Sequence, residues 1–168
     1  VDDPKGRETV MDLINVKQRV YPVGRLDQDT EGLLLLTNDG DVSYALTHPS
    51  HKVAKKYLAT VEGVPNKNKL KSLEEGIKLS DGWTAPAELE LVMDFNNKSI
   101  VSITLYEGRN RQVRRMFKAV GNPAQELKRI QVGPLSLDDN LKLGQSRHLR
   151  KDEIEELNDL AQEVKVTD

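Results

Sequence analysis

The most restrictive feature of the sequence is a run of four leucines, Leu33–Leu36, with acidic or amide side chains before and after it. Gly32 precedes the run and the strong turn signal Asn38–Gly40 follows it, so we predict a buried strand over 33–37. The run is far shorter than the ~20 apolar residues that a membrane span needs. The chain is therefore expected to fold around an inner strand with acidic residues at both ends.

Composition is typical of a globular protein, with 37% hydrophobic and 31% charged residues in 168 positions, a length that suits one domain over 1–168. The net charge of −2 gives no general affinity for nucleic acid. Lysine and arginine are nevertheless clustered along the chain, which predicts a basic groove on an acidic body. Cysteine is absent, which excludes disulfides and thiolate metal sites. We expect a cytoplasmic monomer without membrane association.

Periodicity of the apolar residues predicts both strands and helices. Strands are expected over 53–61, over 124–137 with a turn at Gly133–Pro134, and in a hairpin that joins 85–93 to 96–108. Helices are expected after Thr9, in 41–49, over 66–75, over 109–121, and at the end of the chain, where Ile154, Leu157, Leu160, Ala161 and Val164 form one face. Because helices fall between hairpins, the fold class is α+β with a mixed, mostly antiparallel sheet flanked by helices.

Three interpretations fit the acidic stretch. Asp27, Asp29 and Glu31 resemble the start of a calcium loop, but such a loop needs a glutamate at its twelfth position, which is Asn38 here. Turn chemistry explains Asn38, and it can explain Asp29 as a residue that braces its loop. Asp27 follows Arg25 by two residues at the start of the apolar run, where a carboxylate nucleophile would be held rigidly and kept ionised by a cation.

The stretch Gly24–Asp41, "GRLDQDTEGLLLLTNDGD", resembles the signature motif of the ribosomal RNA pseudouridine synthases of the RsuA/RluB type. Two further segments resemble that family in the same order: "KKYLATVEG", which supplies its tyrosine, and 107–137, which supplies its arginine. The resemblance runs from about residue 4 to about residue 150. It implies the pseudouridine synthase catalytic fold, with the active-site cleft along the sheet.

The resemblance also implies roles for single residues. Asp27 matches the catalytic aspartate, Tyr57 the tyrosine that stacks on the target base, and Arg114 the arginine that pairs with the aspartate. Adjacent helix residues point about 100° apart, so only one of Arg114 and Arg115 can face Asp27. An apolar residue of the following strand would pack beneath the base. The candidates for that position are Leu127 and Ile130.

The basic clusters fit RNA binding in this context. Lysines beside Tyr57 and arginines before the helix of Arg114 would hold phosphates around an extruded nucleotide. The predicted RNA-binding residues are Arg25, Lys55, Lys56, Arg109, Arg111 and Arg115.

The implied reaction converts a uridine of ribosomal RNA into pseudouridine. It is redox-neutral and needs neither a cofactor nor a metal, and no phosphate-cradling glycine loop occurs in the sequence. The expected partner is ribosomal RNA, with 23S RNA favoured and 16S RNA as the alternative. Members of this branch usually carry an RNA-binding domain of the S4 type ahead of a strand "LNKPKG", so such a domain is expected upstream of "VDDPKG".

Two other functions remain open at this stage. A non-catalytic RNA-binding module would share the fold and the basic groove, but it would have no need for Asp27 paired with Arg114. A carboxylate hydrolase using Asp27 with Asp29 or Glu31 would need a general acid of raised pKa, whereas neighbouring arginines act in the opposite direction.

Overall fold

The computed structural model describes residues 3–167. The strands are β1 (Tyr21–Pro22), β2 (Glu31–Gly32), β3 (Leu36–Thr37), β4 (Lys55–Glu62), β5 (Lys78–Leu79), β6 (Gly82–Trp83), β7 (Glu88–Asp94), β8 (Lys98–Leu105), β9 (Ala124–Val132) and β10 (Leu135–Ser136). The α-helices are α1 (Gly40–Thr47), α2 (Lys67–Glu75), α3 (Gln112–Ala119) and α4 (Lys151–Thr167), and short 3-10 helices span Val10–Leu13 and Pro49–His51.

The central sheet has the order β10-β9-β4-β8-β7, and β2 lies beside β9. All of its pairings are antiparallel except that of β2 with β9, which is parallel. The predicted α+β class with a mixed, mostly antiparallel sheet is therefore confirmed. The hairpin of β7 and β8 is confirmed as well, because the two strands pair antiparallel from Glu88 opposite Thr104 to Asp94 opposite Ser99.

Two hydrophobic cores lie along this sheet. The first packs α2 and α3 on the middle strands, with Leu73, Met116 and Phe117 inaccessible to solvent. The second packs α1 and α4 near β9 and β10, with Ala45 and Leu46 at its centre. Each large apolar side chain buried in this way contributes roughly 1.5–3 kcal/mol. The two cores hold β9 from both ends and leave a gap between them.

The leucine run does not form the single strand predicted over 33–37. Its first residue continues from β2, with the Leu33 amide donating to the Arg129 carbonyl oxygen at 2.8 Å, whereas Leu36 belongs to β3 and pairs with β1. Only Leu35 of the four is buried. A short apolar run has no period that would reveal this change of partner from one sheet to another.

The ends of the helices follow capping rules. Asp39 caps α1, accepting from the amides of Asp41 and Val42, so the predicted turn residue is a helix cap. His48 follows the last residue of α1, and Asn66 caps α2 through the Lys69 amide. In α4, Leu157, Ala161 and Val164 are buried as predicted, but Ile154 is 46% exposed and lies off the packed face. Within residues 3–167, every helix is too short or too polar to cross a membrane.

Candidate active site

A cavity of about 370 Å³ lies in the gap between the two cores. Ligand sites in proteins commonly enclose ~300–1,000 Å³, so this volume suits a small group such as one base with part of its sugar. The apolar lining comes from both cores: Val23, Leu46, Leu105, Val113, Leu127 and Val132. The charged lining is mostly cationic and consists of Arg25, Asp27, Lys55, Glu107, Arg109, Arg111 and Arg129.

Asp27 lies in the loop that joins β1 to β2. The loop bends where Gly24 adopts a φ of +71°, and the Thr30 amide closes a turn by donating to the Asp27 carbonyl oxygen at 2.9 Å. The Asp27 side chain is half-buried and lines the cavity. Its negative charge raises the pKa of Arg111, although the Asp29 carboxylate contributes more. The local turn thus directs a carboxylate at the cavity from a fixed position.

The sheet side of the cavity is formed by Lys55, Tyr57, Leu127 and Arg129, which we call the cavity floor. Lys55 and Tyr57 are two residues apart on β4, so both point to the same face of the sheet. Arg129 lies opposite Tyr57 on the neighbouring strand β9, two residues beyond Leu127. All four side chains are therefore positioned by backbone hydrogen bonds of the central sheet.

A β-bulge separates the two predicted base-packing residues. Lys56 pairs with Gln131 while Tyr57 pairs with Arg129, which leaves Ile130 as the extra residue of β9. Leu127 lines the cavity, whereas Ile130 does not and instead accepts the Leu137 amide through its carbonyl oxygen. The structure thus places Leu127, and not Ile130, in the cavity lining.

In this structure Arg114 pairs with Asp29, and the predicted pairing with Asp27 is not formed. Its Nη2 donates to the Asp29 carbonyl oxygen at 2.6 Å, and its Nε lies 3.4 Å from Asp29 Oδ2. Arg115 is bound to Asp81 by two hydrogen bonds of 2.8 and 3.0 Å. Within residues 3–167, neither arginine forms an ion pair with Asp27, because Asp29 and Asp81 occupy them.

Arg111 completes a cluster that we call the ion-paired rim, consisting of Asp29, Arg111 and Arg114. Arg111 immediately precedes α3 with a φ of +49° and donates both Nη atoms to Asp29, at 2.9 and 2.8 Å. These bonds, together with the charge of Arg114, lower the pKa of Asp29 to about 2. The rim ties the loop of Asp27 to the start of α3, 82 residues later in the chain.

The other predicted RNA-binding residues divide into two groups. Arg25 and Lys55 line the cavity, as does Arg109, whose guanidinium is held by the carbonyl oxygens of Gly82 and Trp83. Lys56 and Arg115 lie outside the cavity lining. For Lys56 the reason is strand alternation, which turns it away from the face that carries Lys55.

Arg129 was not among the predicted site residues. It is only 5% exposed, and its Nε donates to the Leu33 carbonyl oxygen at 2.9 Å. Gly32 allows β2 to lie close to the backbone of Arg129, because a Cβ at position 32 would collide with that backbone. The φ of Gly32, +121°, also disfavours other residues. The spacing of two from Leu127 on a predicted strand was a signal that could have placed Arg129 on the same face.

Two buried side-chain atoms near Asp27 have no hydrogen-bond partner within the described part of the chain. They are Thr30 Oγ1, in the loop of Asp27, and Arg114 Nε. Such an atom costs ~1–3 kcal/mol unless something satisfies it. Both atoms mark the region where a bound molecule or a rearranged side chain would find polar partners.

No group of three His, Asp or Glu side chains within residues 3–167 is arranged to hold a metal ion. His48 and His51 instead pack with Tyr44, with ring centroids 5.0–5.2 Å apart.

Comparisons with known proteins agree with this geometry. Residues 3–119 match the sequence profile of the RNA pseudouridylate synthase family. Ribosomal large subunit pseudouridine synthase B of Bacillus subtilis is 48% identical over 162 residues, covering 95% of this chain and 66% of that protein. Ribosomal large subunit pseudouridine synthase E of Vibrio vulnificus is 42% identical over 151 residues, covering 82% of this chain and 64% of its own length.

A solved structure described as a pseudouridylate synthase superposes with a TM-score of 0.82 at 38% identity, covering 89% of this chain and 65% of that one. The chain thus spans just under two thirds of the length of these relatives. The matched residues include the loop of Asp27, strand β4 with Tyr57, and helix α3 with Arg114. The chain therefore belongs to the RNA pseudouridylate synthase family.

Proposed function

We propose that this chain is the catalytic part of a ribosomal RNA pseudouridine synthase that isomerises one uridine of the large-subunit RNA. The observation that carries the proposal is that Asp27 and Tyr57 line one base-sized cavity whose other charged lining is mostly cationic. The printed names of the Bacillus and Vibrio relatives favour the large-subunit RNA as substrate.

The target uridine must leave its helix before it can enter the cavity. Extruding a base costs a few kcal/mol, and stacking on an aromatic ring returns ~1–3 kcal/mol. Tyr57 supplies the ring on the cavity floor, and Leu127 supplies apolar contact beside it. These two side chains would hold the uracil while the sugar faces the loop of Asp27.

Asp27 is the group that acts on the sugar in this proposal. Its carboxylate either attacks the anomeric carbon to form an ester, or removes the proton of the neighbouring sugar carbon to form a glycal. Addition to the uracil ring carbon beside the glycosidic nitrogen is a third route. In every route Asp27 acts as a carboxylate, and its side chain lines the cavity.

Arg114 is proposed to orient Asp27 once RNA is bound. In the free protein it contacts Asp29, but its buried Nε makes no hydrogen bond within residues 3–167. Asp27 and Asp29 share one loop, so a small shift of that loop would offer the Asp27 carboxylate to the same arginine. The gain from satisfying a buried donor, ~1–3 kcal/mol, would support such a shift.

The cations at the mouth of the cavity are proposed to hold RNA phosphates. Arg25 and Arg111 are exposed in part and line the cavity, so they can reach the backbone on either side of an extruded nucleotide. The partner would then be ribosomal RNA. We place the protein in the cytoplasm and expect it to act as a monomer.

Mapping pseudouridine in ribosomal RNA treated with the protein tests this proposal. Wild type should convert one uridine of 23S RNA, and Asp27→Asn should convert none while binding the RNA with affinity within about threefold of wild type. Asp41→Asn is the matched control, because that carboxylate pairs with Lys165 outside the cavity lining. RNA binding without conversion by the wild type would indicate a binding module, and conversion of 16S RNA would contradict the choice of substrate.

A further inference from the structure

Two cations on the cavity floor have no acidic partner within the described residues. Arg129 uses one of its five N–H donors on the Leu33 carbonyl oxygen, and Lys55 makes no side-chain hydrogen bond or ion pair with residues 3–167. Most other arginines around the site are paired, as the ion-paired rim and Arg115 show. Arg129 is buried and Lys55 is half-buried. Cations removed from water without a counter-ion are costly, so their presence calls for a function.

The nearest acidic residues of the lining do not neutralise this pair. Glu107 accepts from the Ala85 amide at 2.6 Å, from Gln112 at 3.0 Å and from Arg109 at 2.8 Å, so its oxygens are already engaged. Asp27 lines the cavity but forms no ion pair with either floor cation. Burial and the charge of Arg129 lower the pKa of Lys55. The floor is therefore an electropositive site enclosed by apolar side chains.

Position distinguishes these cations from the ones that would bind RNA phosphates. Arg129 is 5% exposed at the base of the cavity, and Lys55 Nζ lies against Gly108, where an added Cβ would be 3.2 Å away. Leu127 and Val132 flank them on β9. A phosphate of the RNA backbone would meet Arg25 and Arg111 first, whereas an extruded base reaches the floor.

We propose that Lys55 and Arg129 form a binding site for the uracil anion that departs from the sugar during isomerisation. This inference rests on the proposed function. When the bond between N1 and C1′ breaks, its electron pair leaves with the base. C1′ then bonds to an Asp27 oxygen, or C2′ gives its proton to the Asp27 carboxylate and forms a double bond to C1′. The uracil then bears one negative charge, shared among N1, O2 and O4. When its C5 later bonds to C1′, the C1′–O bond to Asp27 breaks or Asp27 returns the proton to C2′. The proton lost from C5 is gained at N1, and Asp27 is again a carboxylate.

The chemistry of the floor suits this anion. Guanidinium and ammonium groups donate to carbonyl and ring-nitrogen acceptors, and such charge-assisted bonds strengthen as negative charge develops on the base. Tyr57 lies between the two cations on the same face of the sheet, so the stacked ring and the charged donors would contact one base together. Because a neutral uracil gains less from two cations, the site favours the departed base over the bound uridine.

Binding of free bases tests the proposal without turnover. Uracil is neutral at neutral pH, whereas 5-nitrouracil is ionised, so their affinities for the full chain can be compared by NMR titration at millimolar concentrations. We expect 5-nitrouracil to bind at least about tenfold more tightly than uracil. Lys55→Met and Arg129→Met should abolish this preference, Lys55→Arg should retain it, and Lys128→Met, the neighbour of Arg129 on the opposite face, should leave it unchanged.

Equal affinity for the two bases, or no binding of the anion by the wild type, would overturn the proposal. The proposal would also be overturned if inorganic phosphate competes at the same residues and removes the preference, because the floor would then be a phosphate site. If Arg129→Met does not fold, Lys55→Met decides the outcome alone. The two proposals can fail separately. If Asp27→Asn still isomerises uridine, the proposed function is refuted. If the same variant binds 5-nitrouracil more tightly than uracil, as wild type should, the floor site is still supported.

Turnover provides a second measurement. Lys55→Met should lower the single-turnover rate at saturating RNA about tenfold or more, with RNA affinity within about threefold of wild type. Lys55→Arg should restore most of the rate. A loss of RNA affinity that fully explains the slower reaction would contradict a role in stabilising the departing base.

Discussion

The cavity floor and the ion-paired rim both present cations near Asp27, but they hold them differently. On the rim, Arg111 and Arg114 share the Asp29 carboxylate in a partly exposed cluster, with the Asp29 side chain 48% accessible. On the floor, Lys55 and Arg129 are fixed by neighbouring strands and have no acidic partner among the described residues. Exposed pairs exchange partners at little cost, whereas a charge removed from water without a counter-ion destabilises the fold.

This difference suggests that the rim and the floor have different roles. Rim arginines can exchange Asp29 for RNA phosphates or for Asp27, because the pair they would lose contributes little stability. The backbone of each floor cation is fixed by the central sheet, so this pair suits a preorganised site for developing charge. The predictions below test each side of this comparison.

Among the variants that compare the floor with the rim, Tyr57→Phe on the floor is expected to have the largest effect. Removing the hydroxyl keeps the stacking ring but removes a group that can move the proton of the ring carbon, so the single-turnover rate should fall roughly 10²-fold. RNA affinity should stay within about twofold, because stacking is retained. Tyr106→Phe is the control, since Tyr106 bonds Glu88 outside the cavity lining. A wild-type rate for Tyr57→Phe would exclude the proton role.

A buried glutamate that is fully paired with arginine shows how an ion pair can contribute to stability. Arg147 binds Glu153 at 2.7 and 2.9 Å, and these bonds, with the Arg150 amide, hold the pKa of Glu153 at about 2. Because this pKa is depressed, the stabilisation is complete above the ordinary glutamate value of 4.5 and is lost as pH falls towards 2. Glu153→Gln should lower the free energy of unfolding by about 1–3 kcal/mol at neutral pH.

Urea denaturation of Glu153→Gln and wild type at neutral and acidic pH measures this effect. The difference between the two proteins should shrink as pH falls below the unfolded-state pKa of glutamate. Glu155→Gln on the exposed face of α4 serves as control. A difference that is the same at every pH would show that the ion pair does not cause it.

The rim should affect binding more than chemistry. Arg111→Ala removes one proposed phosphate contact, so RNA affinity should fall about tenfold at moderate salt, and the slope of log affinity against log salt should decrease by about one. Filter binding over a series of salt concentrations measures both quantities, with Lys128→Ala as the control. An unchanged slope would remove Arg111 from the RNA contacts.

The smallest effect is expected for the stability contribution of the rim. Asp29→Asn removes the negative charge and one of the two oxygens that accept from Arg111, yet the pair is exposed, so the free energy of unfolding should change by less than about 1 kcal/mol. Urea denaturation measures the change, and Asp81→Asn gives a second exposed arginine pair for comparison. A larger loss would mean that the rim is a structural clamp and cannot exchange partners freely.

The sequence predicted the elements whose pattern is regular. Alternation in β7 and β8 and the spacing of three and four in α2 identified a hairpin and a helix correctly. The leucine run was misassigned, because four identical apolar residues carry no period. Its partners, β1 on one side and β9 on the other, lie far apart in the chain.

Site residues that belong to a sequence motif could be predicted. Contacts that depend on the tertiary structure could not. The motif resemblance predicted that Asp27 and Tyr57 belong to one site, and both line the same cavity. The bulge that turns Ile130 away has no signal in the sequence, and the partner of Arg114 depends on which of two nearby aspartates reaches α3. The spacing of Arg129 from Leu127 indicated the face of the strand on which it lies, but its burial depends on the packing of neighbouring elements, which this spacing does not reveal.

The most direct test of the account is single-turnover conversion of an RNA fragment containing the mapped uridine, at saturating protein, by Asp27→Asn. The account predicts that this variant binds the fragment but forms no pseudouridine, while wild type and Asp41→Asn convert it at equal rates. Pseudouridine formation by Asp27→Asn at the wild-type rate would contradict the central claim that the Asp27 carboxylate performs the reaction.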